Sequence, residues 1–275
     1  MHFSGHKLHI FAGEMAMNET TRSLLAADEP VAVTVLNASG RSPFLLVADH
    51  AGNRMPRSVA GLGIPAAERE RHIAWDIGIA AIGRLLAEAI DATLIQQNYS
   101  RLVIDCNRPP GTLASIPEIS ELTAIPGNEG LTEADRDARA RDIFWPYHQA
   151  IESELDRRKG ANPATALIAL HSFTPVFKGV ARAMQAALLY NRDPRLARKL
   201  LELLRQDQEL IVGDNEPYFV SDTTDYTIPV HGERRGLLHV LIEIRQDLIA
   251  DEPGQRQWAA SLARLLPEAY QHSAA

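Results

Sequence analysis

Residues 43–53 read PFLLVADHAGN, and this stretch decides the prediction of the fold. Its first half is continuously apolar, as in strands that a parallel sheet buries on both faces. Asp49 and His50 follow directly, so polar side chains emerge where the strand ends. Residues 165–172, TALIALHS, repeat the arrangement and place His171 at a second strand end. Because open α/β sheets carry their sites at the carboxyl ends of the strands, both histidines are candidates for such a site.

Strand-like and helix-like segments alternate along the rest of the chain. Further strands are predicted at 31–36, 93–96, 101–106, 186–190 and 237–244. Helices are predicted at 72–90, at 132–159 with a kink at Pro146, at 194–206 and at 255–270. Residues 112–130 show no clear period and are predicted as a long loop. The alternation predicts an α/β fold of three α/β/α layers around a mixed, mostly parallel central sheet.

The composition is typical of a globular protein and limits the kinds of partner that are expected. Of the 275 residues, 45% are hydrophobic, and Lys+Arg 28 against Asp+Glu 35 give a net charge of -7. No linker divides the middle of the chain, so a single α/β domain is predicted over 31–275, with 1–30 as a flexible N-terminal extension. No basic run is long enough to follow a phosphate backbone, so nucleic acid is not an expected partner.

The cysteine content and the apolar segments bear on location. Cys106 is the single cysteine, which excludes an intramolecular disulfide and fits a reducing cytoplasm. The opening residues lack the pattern of a signal peptide, and no apolar stretch reaches the length of a membrane span. A cytoplasmic protein without a membrane partner is therefore expected, and its oligomeric state is left open.

His50 and His171 are candidate zinc ligands, because neutral imidazoles suit zinc and a catalytic zinc takes three protein ligands plus water. The third ligand is open between Asp76, an acidic residue in the apolar first half of the 72–90 helix, and Asn53, whose amide could instead orient His50. Asp76 is favoured as the ligand. A charge stabilised by the helix dipole is the structural alternative for it. No HExxH or CxxC motif is present, so spacing alone does not decide for a metal.

Glu243 lies inside the apolar run LLHVLIEI at 237–244, where a carboxylate is costly to bury without a partner or a function. One interpretation is a structural ion pair with Arg245, which strand alternation places on the same face. The other is a general base that deprotonates water and then protonates a leaving amine. The second interpretation is favoured.

Arg101 and Arg108 flank the predicted strand 101–106, and the sequence Asn107-Arg108-Pro-Pro fixes a turn at its end. A planar guanidinium can bind a carboxylate through two parallel hydrogen bonds, and a neighbouring guanidinium can stabilise an oxyanion. These residues therefore predict that an acidic substrate binds here.

Eight pieces of this sequence, taken in order, resemble the N-formylglutamate amidohydrolase family. The pieces are LLVADHAGNRMP (45–56), HIAWDIG (72–78), YSRLVIDCNRPPG (99–111), PYHQAI (146–151), ALHSFTP (169–175), GDNEPY (213–218), YTIPVHG (226–232) and LIEIRQDLI (241–249). That family is in turn similar to the zinc carboxypeptidase and aspartoacylase group. The resemblance therefore implies a zinc-carboxypeptidase-like fold and one divalent metal ion, zinc, per chain.

Carried over residue by residue, the resemblance implies a role for each of several positions. It implies His50 and His171 as zinc ligands, Arg101 as oxyanion donor, Asn107 and Arg108 as carboxylate clamp, and Glu243 as general base. The wider group has a glutamate as third ligand where this chain has Asn53, so Asp76 and Asn53 both remain candidates, the latter also for substrate binding.

Two further residues are predicted to bind substrate, on weaker physical grounds. Arg182 follows a Gly-containing turn and is expected to reach a second substrate carboxylate, and His231 lies in a Pro/Gly-flanked loop expected to cover the pocket.

The implied reaction is hydrolysis of the N-acyl (formyl) amide of a small acidic amino acid such as N-formylglutamate. The first alternative is a zinc carboxypeptidase-like enzyme or an amidase acting on peptides or cell walls, its pocket shaped by the loops at 112–130 and 214–235. The second is a non-catalytic protein of the same fold, in which Asn53 would be a sign of lost metal. A serine hydrolase finds little support, because the chain has no GxSxG motif.

Overall fold

The computed structural model describes residues 23–161 and 165–273. The strands within these residues are β1 Val33–Leu36, β2 Phe44–Ala48, β3 Thr93–Gln97, β4 Ile119–Ser120, β5 Thr123–Ala124, β6 Ala166–Phe173, β7 Val176–Phe177, β8 Val180–Ala181, β9 Ala186–Leu189, β10 Val212–Asp214 and β11 Leu238–Arg245. Seven of them form one sheet in the order β1-β3-β2-β6-β11-β9-β10, while β4-β5 and β7-β8 form two small hairpins.

The central sheet is mixed and mostly parallel, as the sequence predicts. Strands β3, β2, β6 and β11 are parallel neighbours. Strand β1 pairs antiparallel with β3 at one edge, and β9 pairs antiparallel with β11 toward the other, where β10 runs parallel to β9. The carboxyl ends of the four parallel strands therefore lie at one edge of the sheet.

Helices cover both faces of this sheet. They are α1 Ala66–Arg69, α2 Ile79–Ala89, α3 Glu133–Arg139, α4 Trp145–Ala161, α5 Arg195–Leu204 and α6 Glu252–Ser273. Along β2, Phe44 and Leu46 pack with α2, α5 and α6, whereas Leu45 and Val47 pack with the side chains of α4. Alternate side chains thus enter two hydrophobic cores, which explains the continuously apolar strand and confirms the three layers.

Most predicted elements agree with the structure to within a few residues at their ends. The predicted helix start at Thr132 is confirmed, because Thr132 caps the helix and its Oγ1 accepts a hydrogen bond from Asp135 N over 3.2 Å. A π-helical turn over Ala140–Phe144 joins α3 to α4 directly before Pro146, whose ring and missing N–H disturb regular α-helical bonding. Strand β10 has no counterpart in the prediction, and the predicted loop 112–130 contains the hairpin β4–β5 and a 3-10 turn over Pro126–Asn128.

The predicted helix at 72–90 is wrong over its first turns. Helix α2 begins at Ile79, because Gly78 adopts a left-handed conformation with φ 86°. Residues 71–78 form turns that pass the carboxyl ends of the strands. Asp76 therefore precedes the helix instead of lying within it.

The predicted strand at 101–106 is also wrong, because this segment is a buried turn. Val103 N donates to Ser100 O over 2.9 Å, and Asp105 N donates to Ser115 O over 2.7 Å. Its apolar side chains are nevertheless buried in the core against α4. An apolar run predicts burial, and burial alone does not separate a strand from a packed turn.

Residues 23–30 pack against the domain, although the sequence places them in a flexible extension. Leu24 N donates to the carboxylate of Asp142 over 2.6 Å, and the Tyr99 hydroxyl donates to Pro30 O over 2.7 Å. The prediction for residues 1–22 lies outside the described residues. Among the helices that the structure describes, none is both long enough and apolar enough to cross a membrane.

Candidate active site and metal centre

A cavity of about 380 Å³ opens at the carboxyl ends of the parallel strands. It brings together most of the predicted site residues: His50, Asp76, Arg101, Asn107, Arg108, His171, Arg182 and Glu243. These residues come from segments far apart in the sequence. The sheet edge gathers them, as expected for strand ends in an open α/β fold.

His50, Asp76 and His171 form a buried cluster that can hold a metal ion. One potential ligand atom from each lies within 4.8 Å of the others, and among the described residues no other group of three His, Cys, Asp or Glu side chains has this geometry. Asp76 Oδ2 is 3.0 Å from His171 Nδ1 and 3.5 Å from His50 Nδ1. Both imidazoles therefore direct Nδ1 toward the same carboxylate.

The turn before α2 positions Asp76. Its backbone N–H donates to His50 O over 2.9 Å, and its Oδ2 accepts from Ser172 N over 3.2 Å. The Asp76 backbone is thereby tied to the end of β2 and its carboxylate to β6. Burial alone would raise the pKa of Asp76. The two neighbouring histidines lower this pKa by more than burial raises it, so the carboxylate is ionised.

Each histidine is also held by a second buried carboxylate, on the far side of its ring. His50 Nε2 lies 2.7 Å from Asp105 Oδ1, and His171 Nε2 lies 3.0 Å from Asp49 Oδ2. An ionised carboxylate only accepts hydrogen bonds, so each ring carries a proton on Nε2. His171 Nδ1 also faces a carboxylate, and although burial lowers the pKa of His171, Asp49 and Asp76 raise it well above its ordinary value. If a cation took the place of the proton on Nδ1, the remaining proton would stay on Nε2, which is the arrangement seen where carboxylates orient metal-bound histidines.

A hydroxyl group supports one of these carboxylates. Thr227 Oγ1 donates to Asp49 Oδ1 over 2.7 Å. Burial would raise the pKa of Asp49, but the hydrogen bond and charge of His171 outweigh it and lower that pKa to about 2. Asp49 therefore remains a hydrogen-bond acceptor at neutral pH and holds the proton on His171 Nε2.

The donor set fits zinc. Two imidazole nitrogens and one carboxylate oxygen are the three-ligand set that zinc takes when a further position stays open for water or substrate. His50 Nδ1 is buried and has no hydrogen-bond partner among the described residues. A buried polar atom of this kind is costly unless something binds it, and a cation between the two Nδ1 atoms and Asp76 would do so.

Glu243 lies beside this cluster, on β11. It is the direct cross-strand neighbour of His171 on β6, and within the described residues its Oε2 is buried without a hydrogen-bond partner. Burial raises the pKa of Glu243 to about 7. The structural pairing with Arg245 is not observed, since Arg245 Nε donates to Asp247 Oδ1 over 2.8 Å.

Arg101 is held between two carboxylates. Its Nη2 donates to Asp105 Oδ2 over 2.6 Å, and its Nη1 lies 3.5 Å from Asp76 Oδ1. Burial would lower the pKa of Arg101, but Asp105 and Asp76 raise it above its ordinary value, so it stays charged. Asp105 thus fixes His50 with one oxygen and Arg101 with the other.

The predicted carboxylate clamp already binds a carboxylate of the protein. Asn107 Nδ2 donates to Asp225 Oδ1 over 3.2 Å, and Arg108 Nη1 lies 3.3 Å from the same oxygen. Asn107 Oδ1 accepts from the backbone N–H groups of Tyr226 and Thr227, each over 3.1 Å. Asn107 therefore holds the loop around Asp225 through both the nitrogen and the oxygen of its amide.

Arg182 is the least neutralised cation of the cavity. Its guanidinium stacks over the rings of Phe177 at 4.8 Å and Tyr218 at 4.9 Å, and it also donates to the Tyr218 hydroxyl. No carboxylate of the described residues forms an ion pair with it. Aromatic faces attract a guanidinium without cancelling its charge, so Arg182 remains able to bind an anion.

Asn53 and His231 are the two predicted site residues that do not line the cavity. Asn53 Nδ2 donates to the side chain of Glu70 over 3.2 Å, so its amide points away from His50. His231 is buried with its ring stacked on His148, whose Nδ1 lies 3.0 Å from His231 Nε2. Asp76, and not Asn53, therefore lies with the two histidines in the group that could hold a metal ion.

Several residues of the site were missed in the sequence. Asp49 and Asp105 were assigned no role, although each lies at or near the end of an apolar run, the signal that singled out His50 and His171. Asp225 and Tyr218 carried no such signal, because they lie in a polar loop. Only the tertiary fold returns that loop to the sheet edge.

The fold and the cavity define the class of protein, an α/β protein with a candidate site at the carboxyl edge of the sheet. Over residues 42–250 the sequence matches the family model described as N-formylglutamate amidohydrolase. The chain belongs to this family, and it is an amidohydrolase, an enzyme acting on amide bonds.

Several solved structures are similar to this chain, and two of them are as follows. Gene product Atu2144 from Agrobacterium tumefaciens is 39% identical, with a TM-score of 0.87 over 90% of this chain and 98% of that one. N-formylglutamate amidohydrolase from Ralstonia eutropha JMP134 is 19% identical, with a TM-score of 0.62 over 88% and 98% of the two chains. Because the second of these structures is 19% identical to this chain, its similarity concerns the fold alone. Among curated proteins, none matches the chain.

Proposed function

We propose that this protein is a zinc-dependent amidohydrolase that cleaves the N-acyl amide of a small acidic amino acid such as N-formylglutamate. The observation that carries the proposal is the buried His50–Asp76–His171 cluster with Glu243 beside it. Family membership supports the amide bond and the small acylated amino acid. The zinc and the acidic character rest on the donor set and the arginines of the cavity.

His50, Asp76 and His171 would hold the ion through the two Nδ1 atoms and one carboxylate oxygen. When bound, a zinc ion supplies Lewis-acid chemistry, in that it polarises a carbonyl and makes water more acidic. With a cation bound, Asp105 and Asp49 would keep the proton of each ring on Nε2 and leave Nδ1 for the ion.

Glu243 is proposed as the general base and then the general acid. With a pKa raised to about 7 by burial, it can take a proton from the attacking water near neutral pH. The protonated carboxyl then returns this proton to the nitrogen of the leaving amine. Its Oε2 has no competing hydrogen bond among the described side chains, so the proton transfer breaks no existing contact there.

Arg101 is proposed to stabilise the oxyanion that develops on the acyl carbonyl. It lines the cavity next to the metal-binding cluster and stays charged between Asp105 and Asp76. Because both carboxylates fix its position beforehand, little reorganisation is needed when negative charge develops.

Arg108 and Arg182 are proposed to bind the carboxylates of the substrate. All hydrogen bonds of Arg108 to described residues leave from Nη1, so its Nε and Nη2 remain for a ligand. Arg182 has no ion pair with them and is the stronger candidate. An amino acid with two carboxylates, such as glutamate, matches two cations on the cavity wall. Asn107 then acts as a positioning residue for the loop at 221–227.

The test is turnover of N-formylglutamate by the zinc-loaded protein, compared with N-formyl-leucine, short peptides and Glu243→Gln. We expect formylglutamate to be the best of these substrates, and Glu243→Gln to keep its zinc while losing turnover. Faster cleavage of peptides would favour the carboxypeptidase-like alternative. A protein that binds no divalent metal even when supplied with it would contradict both.

A further inference from the structure

Thr227 contacts both the predicted carboxylate clamp and the residues behind the metal-binding cluster. It is fully buried, and it is not among the described residues that line the cavity. Its hydroxyl donates to Asp49 Oδ1 over 2.7 Å, and its backbone N–H donates to Asn107 Oδ1 over 3.1 Å. One buried residue therefore joins the two parts of the site, and it does so through two different groups.

On the metal side, the contact of Thr227 continues to a proposed ligand. Asp49 uses one carboxylate oxygen for Thr227 and the other for His171, whose Nε2 lies 3.0 Å from Asp49 Oδ2. A carboxylate that is bound at both oxygens cannot turn without breaking a contact, and a buried oxygen that loses its donor costs free energy. Thr227 therefore fixes the orientation of Asp49, and Asp49 fixes the ring of His171.

On the substrate side, the contact of Thr227 continues to the arginine of the clamp. Asn107 Nδ2 donates to Asp225 Oδ1 over 3.2 Å, and the same oxygen lies 3.3 Å from Arg108 Nη1. Because the amide oxygen of Asn107 faces an N–H and its nitrogen faces a carboxylate, only one orientation of this amide satisfies both contacts. An unbroken chain of hydrogen bonds thus runs from the clamp to the metal-binding cluster.

We propose that Thr227 is a positioning residue that couples the carboxylate clamp to the metal centre. The inference rests on the proposed function and adds to it a residue outside the cavity wall. The hydroxyl of Thr227 holds Asp49 and thereby His171, while its N–H keeps this hydroxyl in place relative to Asn107. A change in the side chain of Asn107 therefore alters the affinity for zinc, although Asn107 belongs to the clamp and not to the cluster.

The experiment measures the zinc affinity of the full chain by competition with a chromophoric chelator. Thr227→Val keeps the size of the side chain and the backbone N–H but removes the hydroxyl. We expect the affinity to fall by about 10-fold, as for the loss of a contact behind a metal ligand. Thr227→Ser keeps the hydroxyl and should restore most of the affinity. At saturating zinc, KM for formylglutamate should be unchanged in Thr227→Val, because the N–H still holds Asn107.

Thr93→Val is the matched control for the loss of a buried hydroxyl. Thr93 is also fully buried, and its hydroxyl donates to Asn37 O over 3.1 Å at the opposite end of β3 from the site. Both valine variants should unfold at lower denaturant concentration, but Thr93→Val should bind zinc as tightly as wild type. An equal loss of zinc affinity in the two variants would reflect a general loss of stability and would overturn the inference.

A double-mutant cycle tests the coupling to the clamp. Asn107→Ala removes the acceptor of the Thr227 N–H and should lower the zinc affinity by about fivefold, whereas in the Thr227→Val background it should lower the affinity no further. The backbone N–H of Asn107, which donates to Asp105 Oδ1 over 2.9 Å, is kept in Asn107→Ala. Additive effects would mean that Asn107 acts on the cluster by another route, and they would overturn the inference.

The two variants of Thr227 decide the role of the hydroxyl even if Asn107→Ala does not fold. If Thr227→Val binds zinc like wild type, or if Thr227→Ser binds it as weakly as Thr227→Val, the inference is wrong and the proposed function stands. A wild-type chain that binds no zinc defeats the proposed function, and the inference falls with it.

Discussion

The carboxylate of Asp225 lies 3.3 Å from the guanidinium of Arg108, at a position where the resemblance to amidohydrolases implies a bound substrate carboxylate. Asn107 donates to the same oxygen, so the predicted clamp is engaged by the protein itself. Asp225 Oδ2 in turn accepts from Ser221 N over 3.1 Å, which ties it into its own loop. A carboxylate entering the cavity would therefore meet an Arg108 that is paired with Asp225 and an Arg182 that has no ion pair with the described residues.

Replacing Asp225 with asparagine should strengthen binding of an anionic substrate. Asp225→Asn removes one negative charge beside Arg108 while keeping the size of the side chain. We expect KM for formylglutamate to fall by about fivefold, which corresponds to roughly 1 kcal/mol for a partly exposed charge pair. Steady-state kinetics at low and high ionic strength measure this, and the effect should shrink with added salt. A higher KM would mean instead that Asp225 is needed to hold Arg108 in place.

Asp105 and Asp49, the carboxylates that bind Nε2 of the two histidines, should control the affinity for the metal ion. Asp105→Asn and Asp49→Asn each weaken the orientation of one histidine, and we expect the affinity for zinc to fall by about 10- to 100-fold. Competition with a chromophoric chelator measures the affinity. Asp105→Asn should also loosen Arg101 and lower kcat at saturating zinc, whereas Asp49→Asn should not. His171→Ala serves as the reference for loss of a ligand. If Asp105→Asn and Asp49→Asn bound zinc as tightly as wild type, the role of the two carboxylates would be contradicted.

The sequence predicts the fold well where burial and secondary structure coincide. β2 and β6 are buried on both faces, and His50 follows β2 while His171 lies near the carboxyl end of β6, so the fold class and the two imidazoles could be predicted together. At 101–106 the apolar run reports burial but not backbone conformation, and the predicted strand is a packed turn. The position of Asp76 depends on Gly78. Its left-handed conformation makes the helix begin at Ile79, later than the apolar periodicity predicts, so Asp76 lies before the helix.

Long-range contacts explain the other differences. His231 looked like a pocket residue because glycine and proline flank it, yet it stacks on His148 in the core. Asn53 occupies the position of a ligand in the wider group, but it faces Glu70. The engagement of Arg108 by Asp225 spans more than a hundred residues, and no local pattern encodes it.

The stacked histidines should make stability depend on pH. Burial lowers the pKa of His148 to about 4; burial and the neighbouring His148 lower the pKa of His231 to about 3. Both folded values lie below the ordinary 6.5, so the unfolded chain binds more protons between about pH 3 and 6.5. Stability is then greatest above pH 6.5 and falls as the pH drops through this window, by roughly 2 kcal/mol per histidine at pH 5.

His231→Gln tests this pH dependence, because glutamine can keep a hydrogen bond to His148 but does not titrate. The free energy of unfolding is measured by denaturant titration at several pH values from 5 to 7, with excess chelator for both proteins. We expect the free energy of unfolding of the variant to depend less steeply on pH, by an amount that corresponds to at most one bound proton. Contributions of His50 and His171 cancel in the difference. Equal slopes would show that His231 is protonated to the same extent in the folded and unfolded chains.

Gly78 should be required both for stability and for the metal-binding cluster. Its φ of 86° disfavours any side chain, and a Cβ there would lie 2.3 Å from the carbonyl oxygen of Ile249. Gly111, with φ 83° and open space around it, offers a matched control that carries the conformational cost alone. Gly111→Ala should cost about 1 kcal/mol of unfolding free energy, and Gly78→Ala about 3 kcal/mol, because a backbone clash is added. Since Gly78 ends the turn that carries Asp76, Gly78→Ala should also weaken zinc binding, which Gly111→Ala should not. Equal losses of stability in the two variants would show that the clash relaxes, and unchanged zinc affinity in Gly78→Ala would show that the turn holds Asp76 without it.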